Sequence, residues 1–492
     1  MDRKAAVDAA RQIMAGPYVY EQQRLDRIAA ALRPWDPAVA AERLRQKGLP
    51  QGPMGSLAWQ AQTNFLPLVL DVFSQSMKVD NYIASDTQDT AKAWEWWQRN
   101  KMSAQQAGII RSVLAYGAAY CVVLPSLSPF GPNTQGYLPG APSISVPSLE
   151  QPAVGAFMRP LTPRSMTALY GDPIEWVPGV TPVDSDWPII AMEVNGPSIR
   201  LYDEDKVHFI GVQNVPTSTL GWRASTFNTS TNFEYIDNRV HGVGVCPVVR
   251  FRDRWTLEGD DVFGIIEPLL SIQSRIDETI FEMLVSQYFT AFSQRWVAGW
   301  RPKDEDEMLR MAASDTWFFD KDSVKVGQFQ AGDLKAYLDS QQSAKRDLAA
   351  VGQVPAQNLG IEGIANISEA TLAALEAGKD RKAAEIQTSL GESFEQLLRT
   401  ASHLTGDEKG ANDFNAEVKW QDTTARSFAQ TVDALGKLTA MLNIPEEMAW
   451  EAIPGWTNAT VERAKQLRAA QSSTFGQQQT KPDSTQVFPP AG

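Results

Sequence analysis

Apolar residues repeat at helical spacing over three segments in the second half of the chain. Residues 261–292, 334–350 and 368–404 carry apolar positions three or four residues apart, which predicts three helices. The stripe of the first helix runs through Ile265, Leu269, Ile272, Ile276, Ile280 and Met283. Long helices expose a wide apolar face when they stand alone. We therefore expect the stripes to pack against neighbours, including other copies of the same chain.

Two segments between these helices have a different pattern. Residues 293–333 alternate short strand-like runs with an acidic helical run, which predicts a small α/β insert. Residues 351–367 contain Gly, Asn and Pro but neither Lys nor Arg, which predicts an uncharged to acidic loop. The spacing of Asn366 and Glu369 after this loop resembles a capping box that opens the third helix.

The remaining segments complete a mainly helical picture. Residues 1–50 predict two helices, and residues 51–260 predict helices that give way, from about residue 126, to short alternating runs typical of β-structure. Residues 405–470 predict further helices, and the Gln-, Ser-, Thr- and Pro-rich residues 471–492 are predicted to be disordered. The expected fold class is therefore α+β, mainly α.

The composition of the chain disfavours some classes of function. The 492 residues carry 45 Lys and Arg against 58 Asp and Glu, a net charge of -13, which disfavours tight unspecific binding of nucleic acid. Cys121 and Cys246 both lie in apolar surroundings and are predicted to be buried, as expected in a reducing compartment. The longest apolar run, residues 113–124, is too short to span a bilayer, and the first residues do not resemble a signal peptide.

Catalytic chemistry is not indicated by any motif. The glycines before Lys379 and Lys437 lack the rest of a phosphate-binding loop, and His208, His241 and His403 fall in separate regions without metal-ligand spacing. We therefore predict no catalytic residue, no metal and no cofactor. The acidic run 203–205 is interpreted as a solvated turn, and the helically spaced tryptophans of residues 94–97 as core or interface residues.

Seven segments follow one another along the chain in an informative order. The first five are NFLPLVLDVFSQSMKVDNY, WWQRNKM, SVLAYGAAYCVVL, PVVRFRDR and the long run from DDVFGIIEPLL to FSQRWVAGW. The run NISEATLAALEAGKDRKAAEIQTSLGESFEQLLRTASHL and the run WQDTTARSFAQTVDALGKLTAMLNIPEEMAWEAIPG follow. Together they cover the chain from about residue 55 to 465, and in this order they resemble the portal proteins of long-tailed double-stranded DNA bacteriophages.

The resemblance implies a structural protein without enzymatic activity. Such proteins form a ring, usually of twelve subunits, at the unique capsid vertex through which the genome is packaged and ejected. The implied partners are the terminase large subunit, the head-tail adaptor, the major capsid protein and DNA in transit, without a membrane. The implied location is the capsid portal vertex of the virion, after synthesis in the host bacterial cytoplasm.

The family pattern also implies a domain layout. Residues 51–260 correspond to a wing, 261–292 and 334–350 to two stem helices, and 293–333 to a clip outside the capsid. Residues 351–367 correspond to a channel loop, 368–404 to a long kinked helix with bends expected at Gly378 and Gly391, and 405–470 to a helical crown.

This layout singles out four sets of residues. Asn358, Glu362 and Asn366 are expected to border the narrowest passage of the channel. Lys335, Lys345 and Arg346 are candidates for transient contacts with DNA phosphates, or for solvation or ion pairing between subunits. The acidic run Asp304, Glu305, Asp306 and Glu307 is either a docking surface for a basic partner or the polar first turn of a surface helix. Ile272, Ile276, Ile280 and Met283 are expected to pack the stem.

Two other readings remain open at this stage. One is a hydrolase that uses paired carboxylates and a Trp-lined cleft in the β-rich region, because the separation of carboxylates cannot be read from sequence. The other is a monomeric helical adaptor unrelated to phage. Ring formation by the purified chain distinguishes the portal reading from both.

Overall fold

The computed structural model describes most of the chain as a helix-rich α+β fold, as predicted. It describes residues 1–33, 53–86, 90–126, 155–171, 187–213, 232–256, 262–291, 295–299, 324–328, 334–361, 369–421, 428–442, 445–450, 453, 456, 460–461 and 463–468. The helices are α1 Arg3–Ala15, α2 Pro17–Leu32, α3 Pro53–Gln60, α4 Leu66–Ser74, α5 Ala93–Arg99, α6 Met102–Tyr116, α7 Leu270–Ala291, α8 Leu334–Gly352, α9 Glu369–Leu404, α10 Glu408–Ala411, α11 Phe428–Leu442 and α12 Glu446–Trp450.

The strands are short and all antiparallel. They are β1 Val79–Ile83, β2 Ala118–Ser126, β3 Gly155–Leu161, β4 Met166–Tyr170, β5 Pro188–Asn195, β6 Ser198–Tyr202, β7 Lys206–Gln213, β8 Asn232–Val240, β9 Val248–Arg252, β10 Arg295–Ala298, β11 Lys325–Gln328 and β12 Glu417–Trp420. They form a five-stranded sheet in the order β4-β5-β6-β7-β8, a three-stranded sheet in the order β3-β2-β9, and the pairs β1-β12 and β10-β11.

The chain divides into two compact units. The first contains Met1–Ile28, Leu70–Glu267 and Ile367–Gly492, and the second contains Ala29–Val69 and Pro268–Asn366. The larger sheets and α9 therefore belong to the first unit, whereas α7, α8 and the β10-β11 pair belong to the second.

Both faces of the five-stranded sheet are covered within the first unit. On one face, Ala6, Ala10 and Ile13 of α1 pack against Met192 and Leu201, because these three helical positions recur at spacings of four and three. On the other face, Met166, Ala168, Ala191 and Val207 pack with Tyr120, Val122 and Val248 of the three-stranded sheet. The β-rich texture predicted from sequence thus corresponds to two packed sheets.

An aromatic cluster holds α9 against the three-stranded sheet. Phe394 of α9 is fully buried and meets Phe251 of β9 edge to face, at a centroid distance of 4.8 Å. Trp97 of α5 meets the same ring at 5.3 Å and stacks on Trp94 at 5.0 Å. These tryptophan contacts are those of a packed core, so they do not support a Trp-lined cleft.

The strand β12 was not predicted. Its residues were assigned to a helical segment beginning at residue 405, yet Glu417–Trp420 pairs with β1, and the N–H of Val418 donates to Glu395 of α9 at 3.1 Å. A four-residue strand whose partner lies more than 300 positions away leaves no local periodic signal. The helical part of this segment resumes at Phe428.

The first of the three long helices starts later than predicted. Residues 262–266 are not helical, Glu267–Leu269 form a 3₁₀ turn, and α7 begins at Leu270. Pro268 lies in that turn, because it has no N–H to donate and is tolerated only at the start of a helix. The other two agree with the prediction within two residues, and α9 is continuous across Gly378 and Gly391.

Candidate conduit segment: the paired helices and the loop after them

Helices α7 and α8, here called the helix pair, run antiparallel to each other. Arg275 near the start of α7 pairs with Asp347 near the end of α8, and a side chain at Gly352 would touch Leu269 just before α7. At 1.5 Å per residue, the 22 residues of α7 and the 19 of α8 correspond to rods of about 33 and 28 Å. The pair is therefore a long helical hairpin.

Among the described residues, the buried apolar side chains of the helix pair lie at one end. Leu269, Ile276 and Ile280 of the first half are buried, together with Leu348 and Ala349 in the second half of α8. Ile272 and Met283 are only partly buried, so the buried face is centred on Ile276 rather than spread over the whole predicted stripe.

The opposite end of the pair leaves apolar side chains in solvent. Leu338 in the first half of α8 is 46% exposed and Tyr288 near the end of α7 is 38% exposed. Their own chain thus covers each of these side chains only in part. Exposed apolar side chains of this kind are available for a contact with another protein surface.

The three basic residues singled out on α8 do not share one face. Lys335, Asp339, Gln342 and Arg346 follow each other at spacings of four, three and four, and all four are exposed along one stripe. Lys345 lies about 100° away around the helix, is half-buried, and holds its Nζ 5.2 Å from the centroid of the Phe65 ring. Lys335 and Arg346 are thus the exposed members of the set.

Exposed charges on the helix pair are mixed, with acids in excess of bases. The basic ones are Arg275, Lys335 and Arg346, and the acidic ones are Glu278, Glu282, Asp339 and Asp347. Strong unspecific DNA binding requires many Lys and Arg contacts to phosphate. Within its described residues the helix pair carries no such cluster.

The loop after α8 begins with a strained residue. The N–H of Val354 donates to the carbonyl of Ala349, and the N–H of Gln353 donates to that of Ala350, which together form a Schellman motif. Gln353 has φ +54°, a position that glycine usually takes. The helix end is therefore built at the expense of some backbone strain.

A 3₁₀ turn, Ala356–Leu359, continues this loop. Val354 and Leu359 are buried and anchor it, while Asn358 is exposed and its N–H donates to the carbonyl of Pro355 at 3.0 Å. Gly360 closes the turn at φ +69°, which only glycine adopts without strain. The described part of the loop thus presents uncharged side chains to solvent, among them Gln353 and Asn358.

Several predicted site residues lie outside the described residues. They are Glu362 and Asn366 of the loop and the acidic run Asp304, Glu305, Asp306 and Glu307 of the insert. The described part of the insert includes β10 and β11, in which the Trp296 ring lies directly over Gly327.

Two histidines that are distant in the sequence lie close together in the structure. His208 and His241 are buried, and both bond to Asp203: Nε2 of His208 lies 3.0 Å from the carboxylate, and Nε2 of His241 lies 2.9 Å from the carbonyl oxygen. The second ring nitrogen of His208 bonds to the hydroxyl of Tyr235 at 2.9 Å. Because both ring nitrogens of His208 are occupied and shielded from water, this cluster stabilises the fold rather than a substrate.

Asp203 was expected in a solvated turn, and this expectation was wrong. It is 4% exposed, whereas Glu204 and Asp205 are exposed as predicted. Burial alone would raise its pKa, but hydrogen bonds from the amino group of Met1, from His208 and from two backbone N–H groups outweigh burial and lower it to about 2. Among the described residues no group of His, Cys, Asp and Glu side chains is arranged to hold a metal ion.

The cysteines are buried, as predicted, and burial raises the pKa of both thiols. No helix within the described ranges is both long and apolar enough to cross a membrane. Neither observation adds a reactive site to the helix pair and its loop.

Comparison with known proteins identifies the family of the chain. A search of curated protein sequences finds no significant match. One similar solved structure is the neck of a native gene transfer agent particle computed with C12 symmetry. It has 12% sequence identity, covers 85% of this chain and 94% of that chain, and gives a TM-score of 0.43. Another is the neck of the empty particle computed with C6 symmetry, which has 12% identity, covers 82% of this chain and 88% of that chain, and gives a TM-score of 0.39. The family model described as phage portal protein, SPP1 Gp6-like, matches residues 57–474. Because this match covers most of the chain and agrees with the ordered motifs read from the sequence, the protein belongs to the SPP1 Gp6-like family of phage portal proteins.

Proposed function

We propose that this protein forms a ring, of about twelve subunits on the family pattern, at one special vertex of a phage capsid and serves as the conduit for the genome. The observation that carries the proposal is the uneven burial of the helix pair. Its apolar residues are covered at one end, around Ile276, and exposed at the other, around Leu338. Neighbouring copies of the same chain would cover the exposed end.

The charge distribution supports passage of DNA. The net charge is -13, and the exposed charges of α7 and α8 include more acids than bases. A wall of this kind repels phosphates weakly and does not trap them. In the ring, Asn358, Glu362 and Asn366 line the narrowest passage, and Lys335 and Arg346 touch phosphates transiently or pair with acids of the next subunit.

The proposed layout follows the family pattern. Residues 261–292 and 334–350 form the stem, and residues 293–333 form a clip that docks the terminase large subunit during packaging and the head-tail adaptor afterwards. The acidic run at 304–307 is the candidate docking surface for a basic partner. The wing contacts the major capsid protein, and the crown lies inside the capsid of the virion.

This role is structural rather than enzymatic, as is typical of the phage portal family. The histidine cluster and the tryptophan contacts do not favour the hydrolase reading, because His208, His241 and Trp97 are buried and engaged with other side chains or backbone of the chain.

Electron microscopy of the purified full chain tests the proposal. We expect rings with a central hole close to the width of a DNA duplex. A ring with a different number of subunits would still agree with the proposal, because subunit number can vary outside the capsid. A strictly monomeric protein of 54.3 kDa at all concentrations would overturn it.

A further inference from the structure

Helix α4 belongs to both compact units. Its first residues, Leu66–Val69, fall in the second unit, and Leu70–Ser74 fall in the first. A nine-residue α-helix is a stiff element of about 13 Å, and its internal hydrogen bonds form cooperatively. The contacts that hold each end of α4 therefore influence how often the backbone hydrogen bonds of both ends break.

The start of α4 is held mainly by a buried side chain of α7. Gln273 is 6% exposed; its Oε1 accepts the N–H of Phe65 at 3.0 Å, and its Nε2 donates to the carbonyl of Thr63 at 2.8 Å. The side-chain amide thus pairs with the backbone of residues 63–65 as a neighbouring strand would. A second bond from Nε2 to Asp277 at 2.9 Å fixes the orientation of the amide.

Further contacts secure the same point. The side chain of Asn64 accepts the N–H of Leu66 at 3.1 Å, which caps α4, and donates to the carbonyl of Ala31 at 2.7 Å. Lys345 of α8 lies over the Phe65 ring. Both members of the helix pair therefore contact the three residues that lead into α4.

The other end of α4 is secured independently within the first unit. Phe73 is fully buried, and Lys382 of α9 lies over its ring at 5.3 Å. Asp71 pairs with Arg111 of α6. The end of α4 is thus tied to the long helix and to the core, while its start is tied to α7.

We propose that Gln273 is a positioning residue that couples α7 to α4, so that a displacement of α7 reaches residues 70–74 through the helix. The physical reason is that Gln273, which is itself buried, satisfies a backbone donor and a backbone acceptor at a partly buried point. Separation of the segment 63–65 from α7 would break both of these bonds and the bond from the N–H of Thr63 to Asp277 at 3.4 Å, so we expect the segment to move with α7. The coupling goes beyond the proposed conduit role and does not depend on it.

Hydrogen exchange on the full chain tests the coupling. Gln273→Met keeps the length of the side chain and removes both backbone bonds. We expect exchange at Phe65 to accelerate at least about tenfold, and exchange at the amides of residues 70–74 to accelerate at least about threefold. The matched control is Gln287→Met, the same change at an exposed position of α7, which should leave both regions unchanged.

A second variant separates coupling from poor folding. Gln273→Glu keeps an acceptor for Phe65 but loses the donor to Thr63 while ionised, and protonation restores one donor. Exchange at residues 70–74 should therefore be faster at neutral pH than in the parent chain and should approach it as the pH falls. Acceleration confined to residues 63–66 in both variants would show that Gln273 has only a local role and would overturn the proposal.

Discussion

The Phe251 and Phe394 rings meet edge to face at 4.8 Å, across the junction between the three-stranded sheet and the long helix α9. Trp97 and Trp420 approach the same Phe394 ring at 5.3 and 6.1 Å. One side chain of α9 thus joins β9, β12 and α5 in a single core.

Removal of that ring should destabilise the first unit strongly. For Phe394→Ala we expect the free energy of unfolding to fall by about 3–5 kcal/mol, because a fully buried ring is lost and a cavity remains. Urea or guanidinium unfolding measures the change. Phe414→Ala, at a position that is 73% exposed, is the control and should change stability by less than about 1 kcal/mol. Equal effects of the two substitutions would contradict the packing described.

The strained end of α8 should accept glycine. Gln353→Gly is expected to raise the free energy of unfolding by about 0.5–1 kcal/mol, because glycine adopts a positive φ without strain. Gln353→Val should lower it by about 1 kcal/mol or more, because a β-branched residue tolerates this conformation poorly. Thermal unfolding of the two variants checks the sign. A glycine variant as unstable as the valine variant would argue against the Schellman end.

The buried carboxylate of Asp203 should make stability depend on acid pH. Its pKa is lowered from 3.8 to about 2, so the folded state favours the charged form. The resulting stabilisation, about 2 kcal/mol, is fully present above pH 4 and is lost as the pH falls toward 2. Urea unfolding between pH 2 and 5 should show this loss in the parent chain and not in Asp203→Asn. The exposed neighbour provides the control: Asp205→Asn should keep the pH dependence of the parent.

The exposed end of the helix pair should matter for assembly and not for folding. Leu338→Glu replaces a side chain that is 46% exposed, so the free energy of unfolding of the monomer should change by less than about 0.5 kcal/mol. Ring formation should drop sharply, because a charge would enter the contact between copies. Light scattering and electron microscopy report the fraction of rings. Ser343→Glu adds the same charge at an exposed position of α8 that lies about 140° around the helix from Leu338, and it should leave rings intact. Rings formed equally by both variants would place the subunit contact elsewhere.

The proposed channel loop should respond to charge reversal. Glu362→Lys in every subunit of a ring introduces a circle of cations where the loop otherwise carries none. Phosphates would then bind instead of passing, so packaging should slow or stall. The amount of protected DNA in an in vitro packaging reaction measures this, with Glu362→Gln as the control for loss of the acid alone. Normal packaging and normal retention of DNA in the Lys variant would show that the loop does not line the channel.

Some features of this protein follow from the sequence alone. The helical stripes of residues 334–350 and 368–404 predicted α8 and α9 within two residues, because helical periodicity is written in neighbouring positions. The order of weaker motifs along the chain was enough to indicate the portal family, which the family match confirms.

Other features were decided only by the tertiary structure. Three contacts join positions that are far apart in the chain. They are the pairing of β12 with β1, the hydrogen bonds of His208 and His241 to Asp203, and the hydrogen bonds of Gln273 to residues 63–65. A single polar or short apolar residue has no period, so its partner is set by which elements pack together. The same limit applies to Lys345: its charge is visible in the sequence, but only the position of Phe65 shows that it faces a ring rather than solvent. The sequence alone therefore determined the helical elements and the family, because local periodicity reports one face of one element. Packing determined which side chains meet, because long-range contacts depend on all elements together.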